Sequence, residues 1–208
     1  MGKRLCCYIG MRTAELKWVV GTLSAYRVGM PAVRELVRRS VSERVPIDHA
    51  ERRSIEVFLA AYDRLTDPLS EEADPVHVTG SAIVIGERGV VLLKHKRLGL
   101  WLQPGGHVNA GETPWDGALR EAQEETGLEV AFVDVDEVLG VPRLAHVDVH
   151  PASRGHTHLD LRYVLRGDAT DPAPPAGESQ EIGWFGWEDV IEKASDDRLK
   201  SALASLRP

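Results

Sequence analysis

Two rhythms of apolar positions divide the chain. Between Pro31 and Thr66, Val33, Leu36, Val37 and Val41, and then Ile55, Phe58, Leu59, Tyr62 and Leu65, recur at helical spacing and predict two amphipathic helices. Pro46 separates them, Asp48 followed by Glu51 is a variant capping box that opens the second, and Asp67-Pro68 closes it. After the acidic stretch Ser70 to Pro75, which reads as a linker, the period falls to two. Strands are predicted at Val76 to Ile85 and Val90 to His95 around the turn Gly86 to Gly89. Others follow at Glu129 to Leu139, Leu144 to Val149, His158 to Leu165 and Glu181 to Trp187. Pro114 to Thr126 is strongly helical, Asp168 to Gly177 is a Pro- and Ala-rich loop, and Asp189 to Leu206 holds two short helices, the second opening near Ser195. Strands mixed with helices in this order predict an α+β chain built as a layered sandwich.

Length and composition restrict the picture. The 208 residues accommodate one ordinary domain and an appendage. The expected organisation is a loosely ordered extension over 1–30, a helical hairpin over 31–69 serving as lid, brace or dimer surface, and a domain over 75–208. A homodimer is compatible with this arrangement. The hydrophobic share of 43% and charged share of 27% are those of a globular protein, and the formal net charge of -7 argues against a surface for long nucleic acid. Cys6 and Cys7 are adjacent and alone, which excludes a disulfide framework and zinc-type spacing and suits a reducing, cytoplasmic setting. The apolar run Trp18 to Tyr26 is too short to span a bilayer, and Met30 offers an alternative start.

The candidate chemistry centres on Gly105 to Leu128. Thr113 suits an N-cap, Pro114 the first helical position, Asp116 the third, and Gly127 a left-handed C-terminus. At about 100° per residue, Trp115, Ala118, Leu119, Ala122 and Thr126 gather on one face and Glu121, Glu124 and Glu125 on the other. Clustered carboxylates repel, and magnesium, which prefers oxygen ligands and bridges carboxylates to phosphates, would neutralise them. Read from the residues alone, the same cluster is equally an acidic solvated helix face. Arg120 can pair with Glu124 one turn on or reach back to Glu112. Gly117 on the carboxylate side would leave room for a close loop.

A second constellation alternates along two predicted strands: His146, Asp148, His150, His156, His158 and Asp160, with Arg162 beyond. It reads as a polar substrate wall or a second metal site, or else as satisfied strand histidines. Lys94, Lys96 and Arg97 precede Trp101, which can stack on a base or pack in the core.

Gly106, Glu112, Arg120, Glu121, Ala122, Glu124, Glu125, Gly127 and Leu128 fill every fixed position of the pattern G-x5-E-x7-R-E-U-x-E-E-x-G-U, so the chain resembles the Nudix hydrolases from about Pro75 to Trp187. The resemblance implies an α/β/α sandwich with a mixed sheet, preceded here by helices outside the family pattern. It also implies hydrolysis of a nucleoside diphosphate linked to another moiety, with magnesium, or manganese in its place, and a small nucleotide as substrate. By resemblance the metal ligands are Glu121, Glu125, Glu124 and the Gly105 carbonyl. Glu124 is the favoured base among Glu124, Glu178 and Glu181, Glu181 takes an auxiliary metal role, and Arg120 and Glu112 orient the carboxylates. Trp101, Arg97, His156, His158 and Arg162 are the substrate-contact candidates. Gln103, His107 and Asn109 depart from many members and bear on substrate preference. A silent nucleotide-binding or regulatory module is the alternative, although box glutamates and Arg120 are intact. An isoprenoid diphosphate isomerase would call for a core cysteine, and a zinc protein would rest on the histidines.

Overall fold

The computed structural model describes residues 30–208. The extension expected over 1–30, Met30 apart, and with it Cys6 and Cys7, lies outside the described residues. Two helices come first, α1 (Met30–Ser42) and α2 (His49–Tyr62). Strands β1 (Val76–Gly86), β2 (Gly89–Lys94), β3 (Trp101–Leu102) and β4 (Gly105–His107) lead into helix α3 (Pro114–Thr126). Then come β5 (Val130–Phe132), β6 (Val135–Asp136), β7 (Val141–Pro142), β8 (Leu144–Pro151), β9 (Thr157–Gly167), β10 (Ile182–Phe185), α4 (Trp187–Lys193) and α5 (Asp197–Leu206).

The main sheet runs β10-β2-β1-β9-β5, with β3 on β2, β4 on β1 and β8 on β9. It is mixed because β1 and β9 lie parallel while their other neighbours are antiparallel. One face carries Val78, Ala82 and Val84 of β1 against α3, and this core is shared with Val33, Val37 and Val41 of α1 and Phe58 and Tyr62 of α2. The other face carries Ile83, Val90 and Leu92 against Val190, Leu199 and Leu203 of α4 and α5. The result is the expected sandwich of helices on both faces of a mixed sheet.

Two contacts fix where the helices sit. A Cβ on Gly80 would lie 2.2 Å from the Pro114 carbonyl oxygen, so the start of α3 rests directly on β1. On the far edge, α2 closes the unpaired side of β8. The Glu51 carboxylate, 1% exposed, accepts from Val147 N (3.0 Å), Ile47 N (2.7 Å) and Arg44 Nε (3.0 Å), and Ser54 Oγ accepts from Val149 N (3.3 Å). Side chains of α2 thus satisfy edge amides that would otherwise offer a template for another strand.

Two boundaries differ from the sequence reading for a local reason. Helix α2 stops at Tyr62, short of Asp67-Pro68, because Arg34 donates to the carbonyls of Tyr62, Leu65 and Thr66 and draws the chain out of the helix. The strand expected over Glu129 to Leu139 divides into β5 and β6, and β6 stops at Asp136, whose carboxylate accepts from the amides of Val138 and Leu139 ahead of Gly140 at φ 68°. Thr113 and Asp116 form the full reciprocal capping box and Gly127 is left-handed at φ 68°, as expected of α3.

Candidate functional site

Helix α3 and strand β4 together build the carboxylate site. Ala118, Ala122 and Thr126 bury against the sheet and turn Glu121 and Glu125 toward β4. Gly105 N donates to Glu125 Oε2 at 2.9 Å. A Cβ on Gly106 would fall 2.5 Å from Glu121 Oε1, so that position admits no side chain while the carboxylate stays where it is. Gly117, by contrast, faces Glu112 and the backbone of His107 and Val108 at 3.7 Å, ordinary contact for a Cβ; the loop is close but does not require glycine.

Arg120 organises the cluster. Its guanidinium donates to Glu112 (Nε to Oε1, 2.9 Å; Nη2 to Oε2, 3.2 Å), Glu121 (2.8 Å), Glu124 (3.0 Å) and the His107 carbonyl (2.9 Å). The sequence offered Glu124 or Glu112 as its partner; it holds both, and Glu121 besides. These carboxylates raise its pKa further, and it is positively charged throughout the working range. Burial alone would raise the Glu112 carboxyl, but Arg120 and the Asn109 amide more than offset it and the net shift is downward. Burial dominates at Glu121, which is pushed up despite Arg120, and at Glu125, pushed up to about 7 despite the Gly105 amide, with Glu121 and Glu178 adding repulsion. Glu124 stays open, its side chain 57% exposed.

The remaining predicted residues are distributed unevenly. Glu178 acts electrostatically on both Glu121 and Glu125, with Lys96 Nζ 3.7 Å from its carboxylate. Glu181 is bound by Lys94 Nζ at 3.0 Å with its side chain 64% exposed. These residues line a shallow pocket with Lys94 and His95. Arg97 is exposed in the turn after β2. Trp101 packs edge-on against Phe185 and under Lys193 Nζ, 4.2 Å from the ring centroid, so the ring is committed to the α4 side.

Arg162, expected on a substrate wall, is 2% exposed inside the sheet's polar layer. Its guanidinium lies within ion-pair distance of Asp148 (3.2 Å), Asp160 (3.2 Å) and Asp196 (3.3 Å), and within 3.2 Å of His146 Nδ1. Thr79 and Ser81 donate to Asp160 Oδ1 at 2.9 and 2.7 Å, and Arg198 adds an ion pair to Asp148. Alternation did place Asp160 and Arg162 on one face, but Thr79 and Ser81 of β1 take up Asp160 and Asp196 at the start of α5 closes on Arg162. His156 and His158 sit together with His77 and His107, two histidines that the sequence pattern did not bring into one cluster. Among the described residues no helix is long and apolar enough to cross a membrane.

A family model of the NUDIX domain matches residues 75–205. A MutT-like protein of Streptomyces ambofaciens is 30% identical over 149 residues, covering 69% of this chain and 88% of that protein. Nudix hydrolase 7 of Arabidopsis thaliana is 31% identical over 165 residues, covering 76% of this chain but only 55% of the plant protein, so the chain spans about half that relative's length. A solved NUDIX-family hydrolase from Clostridium perfringens superposes with a TM-score of 0.55 at 26% identity, covering 63% of this chain and 98% of that one. The intact motif, the matched domain and the shared fold converge: the chain belongs to the Nudix hydrolase family, whose members cleave phosphoanhydride bonds.

Proposed function

We propose that the chain is a magnesium-dependent hydrolase of small nucleotides in which a nucleoside diphosphate is linked to another group. One observation carries this reading. Two partly buried carboxylates, Glu121 and Glu125, are held by α3 against the glycines of β4 with their pKa values pushed up and little nearby charge to compensate Glu125. Such a donor set is all oxygen and needs a hard cation, which fits magnesium or manganese. Glu121, Glu125 and the Gly105 carbonyl would hold it, with Glu124 or Glu178 completing the set. A bound divalent cation supplies neutralisation of charge on the phosphoryl oxygens and a lower pKa for water.

The chain's own residues do the rest. Arg120 fixes the directions of Glu112, Glu121 and Glu124, so the carboxylates need not reorganise on binding. Glu124 keeps one oxygen on Arg120, and its exposed side chain can take a proton from the attacking water. Lys96 and Arg97, beside the shallow pocket, meet the diphosphate. The auxiliary role anticipated for Glu181 passes to Glu178, because Glu181 is held by Lys94 while Glu178 faces the box. Trp101 and Arg162 contribute by packing.

The test is a panel of nucleoside triphosphates, nucleotide sugars, dinucleoside polyphosphates and ADP-ribose with magnesium, scored by released product for wild type, Glu124→Gln and Glu125→Gln. Losses of about a hundredfold or more are expected in both variants for whichever compound is cut. Variants as active as wild type, or a wild type inert toward the whole panel, would overturn the reading.

A further inference from the structure

His77, His107 and His158 come from three strands, β1, β4 and β9, that the sheet brings together. His77 is the register neighbour of His158 across the parallel β1/β9 pair, and Thr79 is that of His107 across β1/β4. One ring nitrogen from each of the three histidines lies within 4.8 Å of the others. In a tetrahedral site with metal–nitrogen bonds of 2.0–2.1 Å, nitrogens stand about 3.4 Å apart, so a modest inward movement closes the set.

An independent observation concerns His77. It is 0% exposed, its Nδ1 lies 3.1 Å from the Asp74 carbonyl oxygen, and its Nε2 is buried without a hydrogen-bond partner among the described residues. A carbonyl on Nδ1 fixes the proton there and leaves the Nε2 lone pair unused, the arrangement by which proteins hold an imidazole for a metal. A buried nitrogen left without a partner otherwise carries an uncompensated desolvation cost. Glu71 places a carboxylate 3.3 Å from His107 Nε2, so negative charge stands beside the cluster.

We infer that His77, His107 and His158 form a second cation site, distinct from the carboxylate site, that takes a borderline divalent transition metal of the zinc class. Three imidazoles select such ions and not magnesium, whose preference is for oxygen. Three protein ligands leave a fourth position open. The cation ties the beginnings of β1 and β9 to β4, whose Gly105 and Gly106 border the box glutamates.

The test uses the full chain carrying Cys6→Ser and Cys7→Ser, stripped with chelator and titrated with Co2+ and then Zn2+ under excess magnesium. One equivalent of Co2+ with the visible bands of a low-symmetry, four- or five-coordinate ion is expected, displaced by Zn2+. X-ray absorption at the zinc edge should count three imidazole nitrogens at about 2.0–2.1 Å. His107→Gln and His158→Gln, each confirmed as folded by circular dichroism, should lose the bands, and Glu125→Gln should keep them. His77→Gln is not relied upon, because that side chain is fully buried. Bands absent from wild type, retained in both histidine variants, or lost in Glu125→Gln would overturn the site. Hydrolysis with magnesium is read separately, so failure here leaves the proposed activity standing, and the converse holds as well.

Discussion

Replacing Glu125 by glutamine removes a carboxyl that the fold disturbs strongly while keeping an oxygen for the Gly105 amide. The carboxyl rises from its ordinary 4.5 to about 7 on folding, chiefly through burial. A carboxyl raised in this way stabilises the folded chain fully only below its unfolded pKa, and that contribution disappears as pH climbs through the folded value. With divalent cations chelated, wild type should therefore lose stability between about pH 4.5 and 7, by at most about 3 kcal/mol at 1.36 kcal/mol per unit. Urea unfolding of wild type and Glu125→Gln at pH 5 and pH 8 isolates the contribution, since the other titrating groups are common to both. The variant should be the more stable of the two at pH 8 by roughly 1–3 kcal/mol, with the difference closing at pH 5. Saturating magnesium at pH 8 should restore wild type and leave the variant unmoved. Equal pH slopes in the two proteins, or stabilisation of both by magnesium, would refute the account of Glu125 as a carboxylate awaiting a cation.

Other expectations follow from single contacts. Arg120→Lys replaces a guanidinium that spans Glu112, Glu121 and Glu124 with a point charge that cannot, and steady-state kinetics should show a loss of about 10–100-fold in kcat, with the fold intact by circular dichroism. Gly106→Ala drives a methyl into the Glu121 carboxylate, so metal affinity by calorimetry should fall about tenfold or more, while Gly117→Ala, with 3.7 Å of clearance, should raise unfolding stability by about 0.5–1 kcal/mol. Glu51→Ala strands the Val147 and Ile47 amides and the Arg44 guanidinium, and chemical denaturation should report a loss of about 3 kcal/mol or more.

What the sequence disclosed divides along a physical line. The ends of α3 were legible because capping is local: Thr113, Asp116 and Gly127 act within a few residues of one another. The carboxylate stripe was legible from the 3.6-residue period alone. Arg120 was only half legible, since β4 with His107 and the loop after it with Glu112 return to α3 through tertiary contacts and give it partners that no spacing rule names. Glu178 lies far along the chain beside a proline-rich loop, and Glu181, which looked better placed on a strand, is taken by Lys94. Parallel pairing of β1 with β9 was the least legible feature, because the paired residues lie about eighty positions apart and a crossover leaves no turn signal to count from. That pairing sets Asp160 against Thr79 and Ser81, and it also brings His77 beside His158.

Strand β4 explains why three consecutive residues can serve two chemistries. Side chains alternate across a strand, so Gly106 points to α3, where its missing Cβ makes room for Glu121, while Gly105 and His107 point to the opposite face. A Cβ on Gly105 would lie 2.4 Å from Ser81 Oγ, against the polar layer, and His107 meets His77 and His158 with ring centroids 5.1 and 5.2 Å away. The backbone of the same strand is gripped from the helix side, because Arg120 donates to the His107 carbonyl and Gly105 donates to Glu125. The box glutamates and the ring nitrogens of His77, His107 and His158 therefore lie on opposite faces of one strand, so the two proposed sites would draw on separate sets of side chains. The same strand ties them mechanically: whatever fixes His107 on the histidine side also fixes the carbonyl on which Arg120, and through it the directions of three glutamates, depends.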